Sequence, residues 1–326
     1  MVERFFDGGT RAPLIVRPRG ATSPEGLAEL VAAHAHDLRE RLAWAGAVVF
    51  RGFGVVEPRD LSRVVRAFSD GAPLPYVGDA LRDNVYTSTE ASAGVRIPLH
   101  SEMSSLPAHP RHLFFACMQP ATRGGETTLA DTRAVLASLS PPVRERFLMR
   151  GVRYVRVMRG QSRLIELVER VAAASKSWMD VFETERPDEA EARCRALALD
   201  HRWLPSGHLE TSTVRPAVIA HRVTGEPVWF NQAHLFSFSP RCMGRLYYSL
   251  AMMFYPRRRT RSHRAEYGDS SAIEPAVLAH VLDVLDRNTV ACAWRRGDLL
   301  IVDNETCMHG RNPFRGARRV LVSMTD

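Results

Sequence analysis

The chain has 326 residues, of which 45% are hydrophobic and 25% are charged, a composition typical of a globular protein with a substantial core. Its longest apolar stretch, residues 42–50, is far shorter than the roughly 20 residues that a transmembrane helix needs. The first residues lack the basic start and apolar run of a secretory signal. Five scattered cysteines without a C-x-x-C pair argue against a disulfide framework or structural zinc, and they favour a reducing, cytoplasmic location.

The formal net charge of +8 raises the question of nucleic-acid binding. Lys176 is the only lysine, however, and the arginines are spread along the whole chain. The one dense cluster is RRRTR at residues 257–261, and aromatic side chains do not alternate with it as base-stacking platforms would. The sequence therefore disfavours nucleic acid and leaves an acidic protein as the macromolecule that this cluster would suit.

The predicted elements begin after a lead-in rich in glycine, proline and arginine, residues 1–26, which we expect to be loosely ordered. Apolar residues at helical spacing over residues 27–45 predict one helix that ends at Gly46. A strand follows over residues 47–53, and the pattern of residues 58–69 predicts a second helix.

Short strands alternate with turns and helices through the rest of the chain. Strands are predicted over residues 84–89, 112–118, 127–131, 152–158, 298–310 and 318–324, and a hairpin over residues 218–230. Helices are predicted after Asp131, after Ser140, over residues 240–255 and over residues 274–288. Residues 160–200 are polar and helical in pattern, and we interpret them as an insertion. This mixture predicts a mostly β domain with peripheral helices, an α+β fold that forms a single unit over residues 27–326.

Several common catalytic motifs are absent. The chain lacks the glycine-rich fingerprints of dinucleotide and P-loop sites and the nucleophile elbow of α/β-hydrolases. Cys307 and His309 would share one face of a strand, which leaves a cysteine nucleophile as an open alternative. His-x-Glu occurs at His100 and at His208, about as often as chance supplies at this content of histidine and acidic residues. The motif alone therefore does not identify a metal site.

The surroundings of His100 favour a metal site of two histidines and one carboxylate. Such a set binds Fe(II) on one face and leaves positions open for O₂ and a chelating cosubstrate. Glu102 would supply the carboxylate, and His309 the second histidine. His309 is followed by Arg318 and Arg319 at the start of an apolar strand, where a buried guanidinium needs an anion. Strand alternation lets only one of them point inward, and the distal carboxylate of 2-oxoglutarate would suit it.

The chain resembles a known family, the TauD/TfdA branch of Fe(II)/2-oxoglutarate dioxygenases. It is most similar to the clavaminate synthase-like and SyrP-like enzymes that oxidise amino acids in secondary metabolism. The resemblance runs from about Leu27 to Met324. The segments that carry it are GAVVFRGF, VYTSTEASAGVRIPLHSEM, GGETTLAD, TGEPVWFNQAHLF, YGDSSAI and GDLLIVDNETCMHGRNPFRGARRVLVSM. It implies a double-stranded β-helix core, also called a jelly roll or cupin-like fold, with Fe(II), 2-oxoglutarate and O₂ as cofactor and cosubstrates.

The resemblance also implies roles for individual residues. The metal ligands of the family match His100, Glu102 and His309. The arginine that holds the 2-oxoglutarate carboxylate matches Arg319, with Arg318 as the alternative if the register differs by one residue. Its hydroxyl partner matches Thr127. Candidate contacts to the substrate are Asp269, Tyr86 and Asn231.

The expected reaction follows from Glu102. Related halogenases carry a small residue in place of this carboxylate, so its presence implies hydroxylation, with desaturation or cyclisation as alternative outcomes. The expected substrate is an amino acid or a derivative, free or tethered to an acidic carrier protein. The family also implies that the protein can self-associate as a homo-oligomer. The alternative from another functional class is a non-catalytic, basic β-barrel that binds an acidic partner.

Overall fold

The computed structural model describes residues 2–4, 13–20, 22–69, 80–82, 85–87, 92–160, 177–205, 207–254 and 261–326. Its helices are α1 (Pro24–Ala33), α2 (Ala35–Ala45), α3 (Pro58–Phe68), α4 (Thr132–Ser138), α5 (Pro141–Arg150), α6 (Trp178–Phe182), α7 (Pro187–Ala196), α8 (Pro240–Met243), α9 (Arg245–Phe254) and α10 (Pro275–Arg287). Its strands are β1 (Val2–Arg4), β2 (Leu14–Val16), β3 (Ala47–Phe50), β4 (Ala80–Arg82), β5 (Val85–Thr87), β6 (Ile97–His100), β7 (His112–Gln119), β8 (Arg123–Gly124), β9 (Thr127–Asp131), β10 (Val152–Met158), β11 (Asp200–Trp203), β12 (Leu209–Arg215), β13 (Val218–Ala220), β14 (Pro227–Trp229), β15 (His263–Tyr267), β16 (Val290–Cys292), β17 (Leu299–Asp303), β18 (Cys307–Arg311), β19 (Phe314–Arg315) and β20 (Arg319–Thr325). None of the helices in these ranges is long and apolar enough to cross a bilayer.

Two sheets share an apolar layer. The larger sheet has the strand order β1-β2-β3-β17-β7-β20-β5-β4, and the smaller has the order β16-β9-β18-β6. Alternate side chains of the larger sheet, among them Leu113, Phe115 and Val322, form one buried cluster with Leu129 and Cys307 of the smaller sheet. Because successive side chains of a strand point to opposite faces, each sheet contributes only half of its residues to this layer.

Helices cover the outer faces of both sheets. On the larger sheet, α1, α2 and α3 pack against the side chains that alternate with the inner layer, for example Leu61 against Phe114 and Leu299. On the smaller sheet, Met308 belongs to a cluster with α4, α5 and α10, which includes Val281. The predicted hairpin is confirmed as β13 paired with β14. The fold is therefore layered, with helices on the outer face of each sheet.

The N-terminal part of the chain differs from the prediction in two ways. The lead-in is not wholly loose, because Leu14–Val16 pairs in parallel with β3 and adds to the larger sheet. The single helix predicted over residues 27–45 is two helices, separated at His34, whose backbone leaves the helical conformation. Gly46 ends α2 as predicted, with a φ of 75°, and a Cβ there would lie 3.0 Å from Cys307 Cβ. Only glycine fits that conformation and that space.

The run predicted as one strand over residues 298–310 is two strands in different sheets. β17 belongs to the larger sheet, and β18 belongs to the smaller one. Between them Asp303 accepts hydrogen bonds from the backbone N–H groups of Glu305 and Thr306, each at 3.0 Å, which makes an Asx turn. The turn carries the chain from one sheet to the other, and His309 thereby reaches the smaller sheet.

The predicted insertion is only partly helical. Residues 161–176 of it lie outside the described part of the chain. The remainder contains α6, α7 and β11, and Trp178, Phe182 and Cys194 of these helices pack in a small core with Met158 of β10 and Leu209 of β12. β11 adds to a third sheet, of order β11-β12-β10-β15. This segment therefore packs against the rest of the chain through that sheet.

Buried charge holds the Asx turn in place. Glu305 is 2% exposed and accepts hydrogen bonds from Arg222, from Nε at 2.7 Å and from the backbone N–H at 3.1 Å. Burial opposes ionisation of Glu305, but its contacts with His109 and Arg222 outweigh burial and lower its pKa to about 2. Since a carboxyl group with a lowered pKa stabilises the fold most when it is ionised, this contribution is present above its unfolded pKa and is lost as pH falls towards 2.

We expect Glu305→Gln to lower the free energy of unfolding at pH 7 by on the order of 3 kcal/mol, since the shift in pKa is between 2 and 3 units. The difference from the wild type should shrink by about half at pH 3.5, because the wild type loses part of the same contribution there. Urea unfolding at the two pH values measures both quantities. The exposed Glu145→Gln serves as the control, and an equal deficit at both pH values would contradict the account.

Candidate metal centre

The pairing of β6 with β18 brings two histidines, His100 and His309, together. His100 is the last residue of β6, and His309 is the third residue of β18. In the antiparallel register of these strands the two residues lie directly opposite each other. Their ring centroids are 4.3 Å apart, and Phe115 of the larger sheet packs against His309 at 5.3 Å. Both imidazoles therefore lie at the layer between the sheets.

Glu102 completes the group from the turn that follows β6. Its Oε2 lies 3.8 Å from His100 Nε2 and 3.8 Å from His309 Nε2. One potential ligand atom from each of the three residues lies within 4.8 Å of the others. This is the only group of three or more His, Cys, Asp or Glu side chains with such spacing among the residues that the structure describes. The donor set of two imidazoles and one carboxylate fits Fe(II).

Hydrogen bonding leaves the correct nitrogen of His100 available. Nδ1 lies 2.9 Å from the carbonyl oxygen of Pro98, which fixes the tautomer with the proton on Nδ1 and the lone pair on Nε2. Burial lowers the pKa of His309 to about 3, and the neighbouring His100 acts in the same direction. For His100 and Glu102 burial opposes the charged forms, but their mutual contact outweighs it, so the pKa of His100 is raised and that of Glu102 is lowered. A partly buried carboxylate thus faces two ring nitrogens, as metal binding requires.

Asn304 holds the backbone of Glu102. Its Oδ1 accepts a hydrogen bond from the N–H of Glu102 at 2.7 Å, and its Nδ2 donates to the carbonyl oxygens of Glu102 at 2.9 Å and Pro110 at 2.8 Å. Asn304 is fully buried in the Asx turn between the two sheets. Met103 follows with a φ of 55°, a conformation that a residue with a side chain rarely adopts. The turn between the sheets therefore fixes the strained loop that presents Glu102.

A cavity of about 540 Å³, open to solvent, lies beside this group. The larger sheet lines it with apolar side chains, and the smaller sheet and the segment before β20 line it with polar ones. The lining residues are Ile97, His100, Glu102, Leu113, Phe115, Thr127, His309, Gly310, Arg311, Arg318, Val320 and Val322. Thr127 is 4% exposed and accepts a hydrogen bond from Trp294 Nε1 at 3.0 Å.

Arg318, and not Arg319, faces this cavity, so the preferred assignment from the sequence is wrong about which arginine points inward. Arg319 is exposed, whereas Arg318, just before β20, lines the cavity together with Val320 and Val322 of that strand. Arg318 Nε donates to the carbonyl oxygen of Gly125 at 3.0 Å. Burial, together with the neighbouring Arg311, lowers the pKa of Arg318 to about 10. A guanidinium in this environment gains most from an anion.

Comparison with known proteins identifies the group of enzymes. The model of the taurine catabolism dioxygenase TauD, TfdA family matches residues 16–325. The chain belongs to this family. The dapdiamide synthesis protein DdaC of Enterobacter agglomerans is 32% identical over 323 residues, which cover 97% of this chain and 92% of DdaC. A clavaminate synthase-like protein of Arabidopsis thaliana is 29% identical over 96% of this chain and 93% of its own length.

A solved structure shows the same fold. PvcB of Pseudomonas aeruginosa superimposes with a TM-score of 0.54 at 18% identity, over 96% of this chain and 84% of PvcB. PvcB is an Fe, alpha-ketoglutarate dependent oxygenase from an isonitrile synthetic pathway. As a member of the TauD/TfdA family, the protein is an Fe(II)/2-oxoglutarate-dependent dioxygenase that uses Fe(II), 2-oxoglutarate and O₂.

Two of the three candidate substrate residues of this dioxygenase, Asn231 and Asp269, do not line the cavity. Asn231 is fully buried and bonds its own neighbourhood, donating to Ala217 O at 3.0 Å. Asp269 is an exposed turn residue whose carboxylate accepts hydrogen bonds from Ser271 and Arg150, which lower its pKa to about 2. These contacts are structural. Tyr86 lies in β5, paired with Val322, but its side chain is outside the described part of the structure.

The other motifs have structural roles. Glu210 of the second His-x-Glu pair is bonded by Arg202 at 2.7 Å and by Arg264 at 3.1 Å, so its carboxylate belongs to an ion-pair network. Cys307 is fully buried, and burial raises the pKa of its thiol. A thiol with a raised pKa is a poor nucleophile, which argues against cysteine catalysis.

Two residues of the site belong to no recognised sequence motif. Asn304 bonds the backbone of Glu102, and Arg311 lines the cavity. The DN pair at residues 303–304 could have predicted the Asx turn, since aspartate and asparagine favour such turns. Nothing in the local pattern predicts that Asn304 would reach Glu102, which is 202 positions away in the chain.

We expect Asn304→Ala to weaken binding of Mn(II), a stable substitute for Fe(II), by roughly 10- to 100-fold, because Glu102 loses the partner that holds its backbone. Titration calorimetry of the dioxygenase with Mn(II) measures this, at a temperature where circular dichroism shows the variant to be folded. Asn288→Ala, which removes an amide that caps α10, is the matched control. Equal Mn(II) affinity in Asn304→Ala and wild type would show that Asn304 does not position Glu102.

Proposed function

We propose that the protein hydroxylates an unactivated C–H bond of an amino acid or amino-acid derivative in secondary metabolism, releasing succinate and CO₂. In this proposal His100, Glu102 and His309 hold Fe(II), while Arg318 and Thr127 hold the distal carboxylate of 2-oxoglutarate. The observation that carries it is the convergence of three ligand atoms within 4.8 Å on a cavity that also contains a buried arginine. The two sheets, which are antiparallel apart from the β2–β3 pair, support the further assignment of a double-stranded β-helix core.

The chain's own groups account for the binding of 2-oxoglutarate. Arg311 and Arg318 both line the cavity, and both guanidiniums lie over the ring of Phe314, at 5.0 and 5.7 Å. Arg311 Nη2 donates to the carbonyl oxygens of Ser92 and Val95, at 2.8 and 3.0 Å, and so fastens the segment before β6 to the cavity wall. A dianion compensates the resulting positive potential, and Arg318 is placed for bidentate recognition of its carboxylate.

The remaining surfaces of the cavity suit oxidation of a C–H bond. Leu113, Phe115, Val320 and Val322 form an apolar wall opposite the polar ligands, which limits access of water to the reacting atoms. Held by His100, Glu102 and His309, Fe(II) would supply the activation of O₂ that is coupled to oxidative decarboxylation of 2-oxoglutarate to succinate and CO₂ and to oxidation of the substrate. Glu102 occupies the position that a halide would need, which supports hydroxylation over halogenation. Desaturation and cyclisation begin with removal of the same hydrogen and are distinguished by the product.

The substrate class rests on relatives and on surface chemistry. The relatives DdaC and PvcB belong to dapdiamide synthesis and to an isonitrile synthetic pathway, both of which make small molecules. Presentation of the substrate on an acidic carrier protein is supported by helix α9, on which the apolar side chains Leu246, Leu250 and Met253 are exposed. The arginine-rich residues 257–261 follow this helix in the sequence, so apolar and basic residues are close together along the chain.

The five free cysteines support a reducing, cytoplasmic location.

We expect the anaerobic wild type to give a weak visible charge-transfer band with Fe(II) and 2-oxoglutarate, and to release succinate in air with its substrate. His100→Ala should lose both, since the ligand set is broken. The surface variant His36→Ala, whose side chain is 86% exposed, should keep both. Free amino acids and their carrier-protein thioesters form the substrate panel. Absence of the band and of succinate in the wild type would overturn the proposal, and salt-dependent binding of an acidic partner in a His100→Ala, His309→Ala variant would favour a binding module.

The neighbouring arginines offer a matched pair of variants. Arg318→Gln should weaken 2-oxoglutarate binding roughly 10- to 150-fold, the effect of losing one charge-assisted hydrogen-bonded pair. Arg319→Gln removes the same charge from the exposed face of β20 and should change the dissociation constant less than twofold. Calorimetric titration of the Mn(II)-loaded variants with 2-oxoglutarate measures both. If Arg319→Gln weakened 2-oxoglutarate binding more than Arg318→Gln, Arg319 and not Arg318 would be the arginine that holds the carboxylate.

A further inference from the structure

The hydroxyl group of Thr127 is held from behind by an indole. Trp294 Nε1 lies 3.0 Å from Thr127 Oγ1. An indole N–H can only donate, so the direction of this hydrogen bond is fixed, and Thr127 must accept. Thr127 is buried in β9, where it pairs with Cys292 of β16 and with Arg311 of β18. Its backbone is therefore fixed on both sides.

Accepting from Trp294 determines what Thr127 can offer the cavity. A threonine hydroxyl has one hydrogen to donate and two lone pairs to accept with. With one lone pair filled by the indole, the O–H rotates away from Trp294. Among the hydrogen bonds that the structure describes, Thr127 Oγ1 donates none. The cavity that Thr127 lines also contains Arg318, so an anion placed there would meet a guanidinium and a hydroxyl donor together.

Trp294 is itself held rigidly by its two chain neighbours. The carbonyl oxygen of Ala293 accepts a hydrogen bond from Arg51 Nη2 at 2.8 Å, and the N–H of Arg295 donates to Asp298 Oδ2 at 2.8 Å. Arg51 and Asp298 form a salt bridge of 2.7 Å, and the Asp298 side chain is 1% exposed. The ring of Trp294 packs on the apolar layer between the sheets. The indole nitrogen is therefore fixed relative to β9.

We propose that Trp294 is a positioning residue for the cosubstrate: its indole N–H orients the Thr127 hydroxyl so that Thr127 donates to the carboxylate bound by Arg318. This inference rests on the proposed function, in which that carboxylate is the distal group of 2-oxoglutarate. Trp294 does not line the cavity and acts only through Thr127. The alternative is that Trp294 merely packs, in which case loss of the N–H alone changes nothing at the cavity.

The test is a double-mutant cycle on 2-oxoglutarate binding, measured by calorimetry with Mn(II)-loaded protein so that no turnover is needed. Trp294→Phe keeps an aromatic ring but removes the donor, and we expect it to raise the dissociation constant roughly 3- to 10-fold. Thr127→Val should raise it at least as much. In the Thr127→Val background, Trp294→Phe should have no further effect, because the group that it orients is gone.

Two further measurements separate positioning from packing. Binding of 2-oxobutyrate, which lacks the distal carboxylate, should be the same in wild type and Trp294→Phe. Trp203→Phe removes another indole donor, one that bonds Glu191 at 2.8 Å in the insertion, and it should leave 2-oxoglutarate affinity unchanged. If Trp294→Phe does not fold, incorporation of benzothienylalanine at residue 294 removes the N–H while keeping the shape of the indole.

Each outcome has a distinct meaning. Wild-type Mn(II) protein that fails to bind 2-oxoglutarate overturns the proposed function itself. Wild type that binds while Trp294→Phe and the benzothienylalanine protein bind equally well overturns only the role of Trp294. Additive effects of the two substitutions, or an equal loss for 2-oxobutyrate, would show that Trp294 acts through packing. Non-additivity confined to 2-oxoglutarate supports the inference.

Discussion

The antiparallel pairing of β6 with β18 is the contact on which the site depends. It places His100 across from His309 and so brings the two ring nitrogens to one carboxylate. A slip of one residue would turn one imidazole to the opposite face of the sheet, into the layer covered by helices. Residues outside the two strands help to fix the register of β6 against β18. The Asx turn at Asp303 leads the chain into β18 of the smaller sheet, and Asn304 in this turn hydrogen-bonds the backbone of Glu102.

A second constraint is electrostatic. Burial disfavours the charge of Arg318, and the nearby guanidinium of Arg311 adds to this cost. Fixed carbonyl oxygens and the ring of Phe314 compensate part of it. The remaining positive potential is an energetic cost in the free protein that a bound anion relieves. This favours the proposed binding of the 2-oxoglutarate carboxylate beside Arg318.

Much of the fold could be predicted from local pattern. Strand β10 and helices α3 and α10 follow apolar periodicity and capping signals. The group of His100, Glu102 and His309 could be proposed from residue chemistry together with family resemblance. What could not be predicted depends on contacts between distant parts of the chain. The choice between Arg318 and Arg319 needed the face of β20, since both residues fit the same sequence motif.

Contacts between distant parts of the chain also explain what the sequence did not reveal about other residues. Asp269 is of a type that often contacts substrates, but Arg150, which lies 119 positions away, binds its carboxylate in a surface turn. Asn304 and Trp294 carry no motif, and their importance follows only from what they reach. Substrate identity also depends on the shape of the cavity wall, where apolar residues of the larger sheet differ little from ordinary core residues in sequence.

The most direct test of the account is the position of a bound metal. Crystals grown anaerobically with Mn(II) and 2-oxoglutarate would locate the ion by its anomalous scattering. The account predicts one peak at bonding distance from His100 Nε2, His309 Nε2 and the Glu102 carboxylate, with the distal carboxylate of 2-oxoglutarate against Arg318 and the Thr127 hydroxyl. A peak at other ligands, or a cosubstrate carboxylate that does not contact Arg318, would contradict it.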